Sequence, residues 1–250
     1  RLKAVLTRLE ASGLIAKCLV MPSREATDVE LERVHTKGLI QALQASSAAG
    51  CSDSPFPIPL STSGQVATSN PPLPASSSGE EGVISADALC SQYTYEAARL
   101  AAGTAAEMAA GLMKGSIDNG MAIIRPPGHH ATRTKAQSGC YFNNAAVAAR
   151  AAQAAGAARV MILDWDIHHG HGTQEIFEED TSVLVVSMHR ADEEFYPGTG
   201  QVTDVGVNDG EGYTINIPWQ DNTVTAADYI QATLHVVLPV SYEFQPDVII

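Results

Sequence analysis

The sequence has few basic residues and no long apolar run. Only 15 of its 250 residues are Lys or Arg, against 28 Asp and Glu, so the formal net charge is −13. Because contacts with phosphate groups need clustered Lys and Arg, this balance disfavours direct binding to nucleic acid. No stretch approaches the ~20 consecutive apolar residues of a transmembrane helix, so we expect no membrane partner.

Cysteine is also scarce, and its spacing excludes two kinds of structure. The four cysteines include no Cys-x-x-Cys pair, which argues against a zinc ribbon and provides no disulfide framework. No basic segment followed by an apolar run stands at the start, so no secretory signal is expected. The first residue is Arg1 rather than Met, and we therefore expect that the native N-terminus lies elsewhere.

What the sequence does contain is short apolar runs that alternate with helical segments. We predict strands at 121–124, 159–163, 182–187, 213–217 and 247–250, and helices at 92–113, 143–155 and 223–237. Continuous apolar strands between helices indicate a mostly parallel sheet covered on both faces. The predicted fold class is therefore α/β, as a three-layer αβα arrangement.

Residues from about 46 to 81 differ from the rest in composition. Ser, Pro, Gly and Ala dominate there, and such a stretch buries too little apolar surface to offset its ordering entropy. We interpret it as a disordered insertion within a single domain over residues 1–250. A linker between two domains is the less favoured alternative, because residues 1–44 are too few for an independent core.

Adjacent histidines, His129 and His130, directly follow the predicted strand 121–124. Loops at the carboxyl ends of parallel strands are where open α/β sheets bind ligands. From such a loop both imidazoles can point into one cleft. Taken alone, the segment leaves open a pair of loop histidines without function.

A second polar loop follows the predicted strand 159–163 and contains Asp164, Asp166 and His168. Side chains two residues apart project on one side of an extended chain. Asp166 and His168 can therefore converge on one cation, as mixed oxygen and nitrogen ligands of zinc do. Together the two loops indicate a metal hydrolase, with ligands on one and acid/base imidazoles on the other. A catalytic zinc needs three protein ligands, and only two are obvious.

These segments resemble zinc-dependent histone deacetylases, most of all the class II group. The motifs that carry the resemblance are RPPGHHA (125–131), CYFNN (140–144), DWDIHHG (164–170) with GTQ (172–174), FYPGTG (195–200) and NIPW (216–219). The resemblance covers residues 1–44 and 82–250. It implies an arginase-like fold, incomplete at the C-terminus, and hydrolysis of the acetyl amide of N6-acetyl-lysine with release of acetate.

The resemblance also implies roles for individual residues. Asp166 and His168 match zinc ligands, His129 and His130 match the pair that activates water and protonates the leaving amine, and Asp164 matches the carboxylate behind the first histidine. Further matches are a potassium-type site at Asp164, Asp166, His168, Ser187 and Met188, a second such site near Phe177, Asp180, Val183 and Tyr213, and a substrate tunnel at Gly139, Phe195 and Tyr196. The implied partners are acetylated proteins or histone tails and corepressor proteins, in chromatin regulation in the nucleus or in the cytoplasm.

The sequence departs from the family pattern in three places. The third zinc ligand and the transition-state Tyr or His are expected beyond Ile250, so the chain is interpreted as a partial domain. The family's Gly-Phe is Ser138-Gly139 here, and His171 stands where relatives have Asp or Asn. Two alternatives to a protein deacetylase therefore stay open. One is a catalytically impaired binding or scaffold module, and the other is a deacetylase of small acetylated amines such as polyamines.

Overall fold

In the computed structural model, which describes residues 2–48, 82–192 and 194–250, short strands alternate with helices. The helices are α1 (Leu2–Ala11), α2 (Asp28–Glu32), α3 (Lys37–Ala48), α4 (Thr94–Met113), α5 (Asn144–Ala154), α6 (His171–Phe177), α7 (Ala226–Ala232) and α8 (Leu238–Phe244). The strands are β1 (Val83–Ile84), β2 (Lys135–Ala136), β3 (Val160–Asp164), β4 (Val183–Arg190), β5 (Thr214–Trp219) and β6 (Val248–Ile249).

A parallel sheet with strand order β5-β4-β3-β6 forms the centre of the fold. Strands β3 and β4 pair from Val160 opposite Val183 to Asp164 opposite Ser187. A separate parallel pair joins β1 to β2. Because these four central strands run in one direction, their carboxyl ends meet at one edge of the sheet, where such sheets bind ligands.

Apolar side chains of the central strands alternate between two layers of helices. Val160 and Ile162 of β3 pack in a core with residues of α2 to α6. Met161 points the other way, into a smaller core with Val237, which lies between α7 and α8. This alternation follows from the two-residue period of a strand, and it confirms the predicted three-layer α/β class.

One predicted strand is wrong. Residues 121–124 form no strand, and Met121 is exposed. In the described part of the chain no backbone hydrogen bond joins these residues to another segment. An apolar run becomes a strand only when a neighbouring backbone completes its ladder, and its own sequence does not show whether that neighbour exists.

The start of the predicted insertion lies inside a helix. Residues 46–48 belong to the last turn of α3, where the Ser47 hydroxyl accepts a hydrogen bond from the Tyr95 backbone amide at 3.1 Å. The rest of the predicted insertion, 49–81, lies outside the described residues. Among the described helices, none combines the length and the apolar character that a membrane crossing requires.

Side-chain caps explain where several helices begin. Thr27 caps α2 by accepting from the Glu30 amide, and the Glu30 carboxylate accepts from the Thr27 amide in return. Asn143 caps α5 by accepting from the Ala146 amide at 3.1 Å. Such caps satisfy amide groups that have no partner within the helix, so these residues fix the first turns of α2 and α5.

We expect Thr27→Ala to lower the free energy of unfolding by about 1 kcal/mol, because the amide and the carboxylate of Glu30 both lose the Thr27 hydroxyl as a hydrogen-bond partner. Urea unfolding of the purified protein measures the change. Thr104→Ala, within α4, is the matched control and should change stability by less than about 0.5 kcal/mol. Equal effects of the two substitutions would contradict the assigned cap.

Candidate active site

The two polar loops predicted from the sequence meet at the carboxyl end of β3. His129 Nδ1 lies 2.8 Å from Asp164 Oδ2, and the other carboxylate oxygen of Asp164 accepts from the Asp166 amide at 3.0 Å. Burial alone would lower the pKa of His129, but the hydrogen bond and charge of Asp164, with the charge of Asp166, outweigh it. The pKa of His129 is therefore raised, as suits a group that accepts a proton.

Gly170 makes room for the contact between His129 and Asp164. A Cβ atom at this position would lie 2.3 Å from Asp164 Oδ2 and 3.2 Å from His129 Nδ1. Any other residue would push the carboxylate away from the imidazole. Gly170 directly precedes α6. The start of that helix therefore packs against the pair formed by His129 and Asp164.

Asp166 and His168 lie next to each other on the solvent-exposed side of the loop that follows β3. His168 Nδ1 lies 3.0 Å from Asp166 Oδ1, and the side chains are half-exposed. Burial raises the pKa of Asp166, but hydrogen bonds from the backbone and ring of His168, with the charges of His129 and His168, bring it below its ordinary value.

This donor pair fits two positions of a zinc site. Two ligand atoms on one tetrahedral zinc lie about 3.3 Å apart, from metal–ligand distances of about 2.0–2.1 Å. The separation between the oxygen of Asp166 and the nitrogen of His168 is 3.0 Å. No group of three or more His, Cys, Asp or Glu side chains suited to a metal is found among residues 2–48, 82–192 and 194–250. The described residues therefore bring together two candidate ligands, Asp166 and His168.

The second histidine has a different partner. His130 Nδ1 lies 3.3 Å from His171 Nδ1, and His171 Nε2 lies 2.8 Å from Gln137 Nε2. Burial, together with the charges of His129, His171 and His168, lowers the pKa of His130 to about 3. The adjacent imidazoles thus differ in electrostatic environment, because one faces a carboxylate and the other faces a third imidazole.

Two aromatic side chains cover this cluster. Phe195 stacks on His168 with ring centroids 4.9 Å apart, and Tyr196 meets His130 edge-on at 5.1 Å. The guanidinium of Arg190 lies 4.5 Å from the centre of the Phe195 ring. The structure thus places Phe195 and Tyr196 as one wall beside the predicted ligands and acid/base groups.

Gly139 borders open space. A Cβ there would meet no atom of the described residues within 4 Å, apart from chain neighbours. Ser138 beside it is held by Asp87, whose carboxylate accepts from the Ser138 amide at 3.0 Å and from its hydroxyl at 2.8 Å. The same hydroxyl lies 2.5 Å from the Tyr196 hydroxyl. Asp87 was missed from the sequence, because it stands far upstream and outside any motif.

The residues assigned by resemblance to a potassium-type site lie on β3, on β4 or just after β3: Asp164, Asp166, His168, Ser187 and Met188. Asp164 stands opposite Ser187 in the ladder, and the Ser187 hydroxyl lies 2.9 Å from His189 Nδ1.

Residues of the second such assignment surround the start of β4. Amides of Asp180 and Val183 donate to the carbonyls of Phe177 and Asp180, and Val185 donates to Tyr213. The Asp180 carboxylate pairs with Arg150 at 2.7 Å.

Two buried histidines, which sequence reasoning missed, hold the aromatic loop against the sheet. His169 Nδ1 lies 2.8 Å from the Thr199 hydroxyl, and His189 Nε2 donates to the Gly200 carbonyl at 2.9 Å. A Cβ at Gly200 would lie 2.5 Å from His189 Nε2. The positions of Phe195 and Tyr196 therefore depend on a glycine that lets the loop touch both rings.

A third missed histidine, His35, supports the tandem-histidine loop from behind. Its Nδ1 lies 2.9 Å from the Thr132 carbonyl, and its Nε2 accepts from the Asn143 amide at 2.9 Å. The Asn143 side chain in turn donates to the Ala131 carbonyl. Burial lowers the pKa of His35 to about 4, so the ring is neutral wherever the protein is folded near neutral pH.

We expect the stability of the protein to fall between pH 6.5 and pH 4 because of His35. Above pH 6.5 the ring is neutral in both states. Below it the unfolded chain takes up a proton that the folded chain binds only near pH 4. This linkage amounts to roughly 3 kcal/mol and then levels off.

The test compares unfolding free energies of wild type and His35→Gln from pH 7 to pH 4. The variant is less stable at neutral pH, and its deficit should shrink as the pH falls, because glutamine does not titrate. His235→Gln, at an exposed position, is the matched control and should leave the profile unchanged. A deficit that stays constant over this range would refute the role of His35.

The family model described as "Histone deacetylase domain" matches residues 1–250. "Histone deacetylase 15" of Arabidopsis thaliana is 42% identical over 252 residues, covering 100% of the chain and 40% of that protein. "Histone deacetylase 4" of Caenorhabditis elegans is 38% identical, with 100% and 28% covered, and human "Polyamine deacetylase HDAC10" is 35% identical, with 100% and 34% covered.

A solved structure is similar over the whole chain. The crystal structure of the HDA15 HD domain superimposes with a TM-score of 0.85 at 41% identity, covering 100% of this chain and 63% of that one. The chain thus spans less than half the length of the curated relatives described above, and about two thirds of the solved domain.

Proposed function

The chain belongs to the histone deacetylase family, and from this premise we propose that it is part of a hydrolase that removes the acetyl group from N6-acetyl-lysine in histones or other proteins. The observation that carries the proposal is the meeting of two pairs at the end of β3. Asp164 with His129 forms an acid/base pair, and Asp166 with His168 forms a ligand pair.

Proteins of this family are in general zinc-dependent, and Asp166 with His168 would hold the ion here. When bound, zinc polarises the amide carbonyl and lowers the pKa of a bound water. Strand β6 runs beside β3, with Ile250 donating to Met161 and accepting from Leu163.

The histidines carry the proton transfers of the proposed reaction. His129 Nδ1 donates to Asp164, so the free Nε2 can accept the proton of the attacking water. The oxygen of that water bonds to the carbonyl carbon, the C–N bond breaks, and a proton passes to the leaving amine. The products are acetate and a free amine, and the imidazole returns to its starting state.

The open space at Gly139 favours a second candidate substrate class, the acetylated small amines such as polyamines. A missing aromatic ring leaves room beside the Phe195 and Tyr196 wall, and the Asp87 carboxylate lies at that opening. A carboxylate attracts the further ammonium groups of a polyamine. A binding or scaffold module without catalysis is the third candidate, which the paired His129 and Asp164 disfavour.

Other parts of the proposal follow from the family. A potassium ion is proposed beside Asp164 and Ser187, which stand opposite each other at the ends of β3 and β4. Acetylated histone tails or other acetylated proteins, and corepressor proteins, are the proposed partners. The nucleus or the cytoplasm is the proposed location.

We expect the full-length protein, loaded with zinc, to release acetate from an acetyl-lysine peptide, from an N-acetylated polyamine, or from both. His129→Ala should reduce the rate by about 10²–10⁴-fold, because the proton acceptor is lost. Asp166→Asn should reduce both bound zinc and rate. His235→Ala, an exposed histidine, is the control that keeps the rate. Bound zinc without acetate release from either substrate would refute the proposed function.

A further inference from the structure

We infer that His130 presents an N–H group to the site, whereas His129 presents a lone pair, because Gln137 and His171 fix the tautomer of His130 from behind. The assignment follows from hydrogen-bond accounting along one chain of groups. Its consequence for hydrolysis rests on the proposed function, but the tautomer itself is a property of the chain.

The series of hydrogen bonds begins at a group that can only accept, the backbone carbonyl of His130. The backbone carbonyl of His130 lies 2.9 Å from the side-chain nitrogen of Gln137, so that nitrogen must donate to it. This contact fixes the orientation of the Gln137 amide. The same nitrogen has a second hydrogen, and it lies 2.8 Å from His171 Nε2. His171 Nε2 therefore accepts and holds no proton.

The position of the remaining hydrogens then follows. A neutral imidazole that accepts at Nε2 has its hydrogen on Nδ1. His171 Nδ1 lies 3.3 Å from His130 Nδ1, so it donates and His130 Nδ1 accepts. The hydrogen of His130 is consequently on Nε2, the nitrogen that faces away from His171. Both rings are largely buried beside each other, with centroids 5.1 Å apart.

His129 has the opposite arrangement. Its Nδ1 lies 2.8 Å from the Asp164 carboxylate, which only accepts, so the hydrogen stands on Nδ1 and Nε2 holds a lone pair. The rings of His129 and His130 lie 4.1 Å apart. The site therefore holds one proton acceptor and one hydrogen-bond donor side by side.

This difference divides the work of the proposed reaction. His129 Nε2 accepts the proton of water and then donates it to the leaving nitrogen. A single residue therefore performs both proton transfers. His130 donates a hydrogen bond to the oxygen that carries negative charge in the transition state, a form of stabilisation that needs no proton transfer. Gln137 and His171 are positioning residues, since they act through His130.

The experiment is a ¹⁵N NMR measurement of the full-length protein labelled at histidine, which distinguishes protonated from unprotonated ring nitrogens. His35 and His189 serve as internal references, because Nδ1 of His35 faces the Thr132 carbonyl and Nε2 of His189 faces the Gly200 carbonyl. We expect a protonated Nε2 and an unprotonated Nδ1 for His130. A protonated Nδ1 of His130 would overturn the inference.

Gln137→Glu tests the donor and acceptor order of the hydrogen bonds that join Gln137, His171 and His130. Its carboxylate accepts at His171 Nε2, so a His171 ring that stays neutral has no hydrogen on Nδ1 and the proton of His130 moves to Nδ1, whereas a His171 ring with both nitrogens protonated, which the same spectrum detects, leaves His130 unchanged. His171→Asp should produce the same inversion, because a carboxylate beside His130 Nδ1 accepts. Gln174→Glu is the matched control: Gln174 already faces His169 Nε2 with its oxygen, 3.0 Å away, so no tautomer should change.

Inversion in both Gln137→Glu and His171→Asp supports the inference, and an unchanged His130 in both refutes it. The readout needs no substrate, so it separates this inference from the proposed function. A protein that has the assigned tautomer but releases no acetate refutes the function alone. Acetate release with a protonated Nδ1 on His130 refutes the tautomer alone.

Discussion

The parallel backbone ladder between β3 and β4 decides where the functional groups of this molecule lie. It runs from Val160 opposite Val183 to Asp164 opposite Ser187, with helices covering both faces of the sheet. A slip of one residue would turn apolar side chains into the wrong layer, so the register is fixed by burial. Because Asp164 ends the ladder, Asp166 and His168 emerge at the open edge, where the tandem-histidine loop can reach them.

The groups of the site are held by contacts that leave little freedom. Gly170 admits the Asp164 carboxylate beside His129, and Gly200 admits its loop beside His189. A buried, neutral His35 bonds to the backbone behind the tandem histidines. Neutral imidazoles suit this supporting role, because one nitrogen donates while the other accepts. Preorganised groups of this kind lose little freedom when a substrate binds, which is what catalysis requires.

Family membership and local geometry answer different questions about this protein. Membership supports the proposed reaction class, and the relatives include both histone deacetylases and a polyamine deacetylase. The geometry of this protein departs from the family pattern at Gly139, which borders open space, and at His171, where an imidazole lies behind His130. In the proposed function, substrate choice and the different roles of the two histidines would therefore depend on residues that the shared motifs do not contain.

The sequence by itself determined the α/β class, most strand positions and the supply of groups at the end of β3, because hydrophobic periodicity and strand-end placement are local properties. It failed at residues 121–124, where a strand needs a neighbouring backbone that the run itself does not specify. Tertiary structure alone decided that Asp87 reaches Ser138, that His35 supports the loop, and that Gln137 faces His171. These contacts join separate segments of the chain, and a hydrogen bond exists only when folding brings its two atoms to about 3 Å.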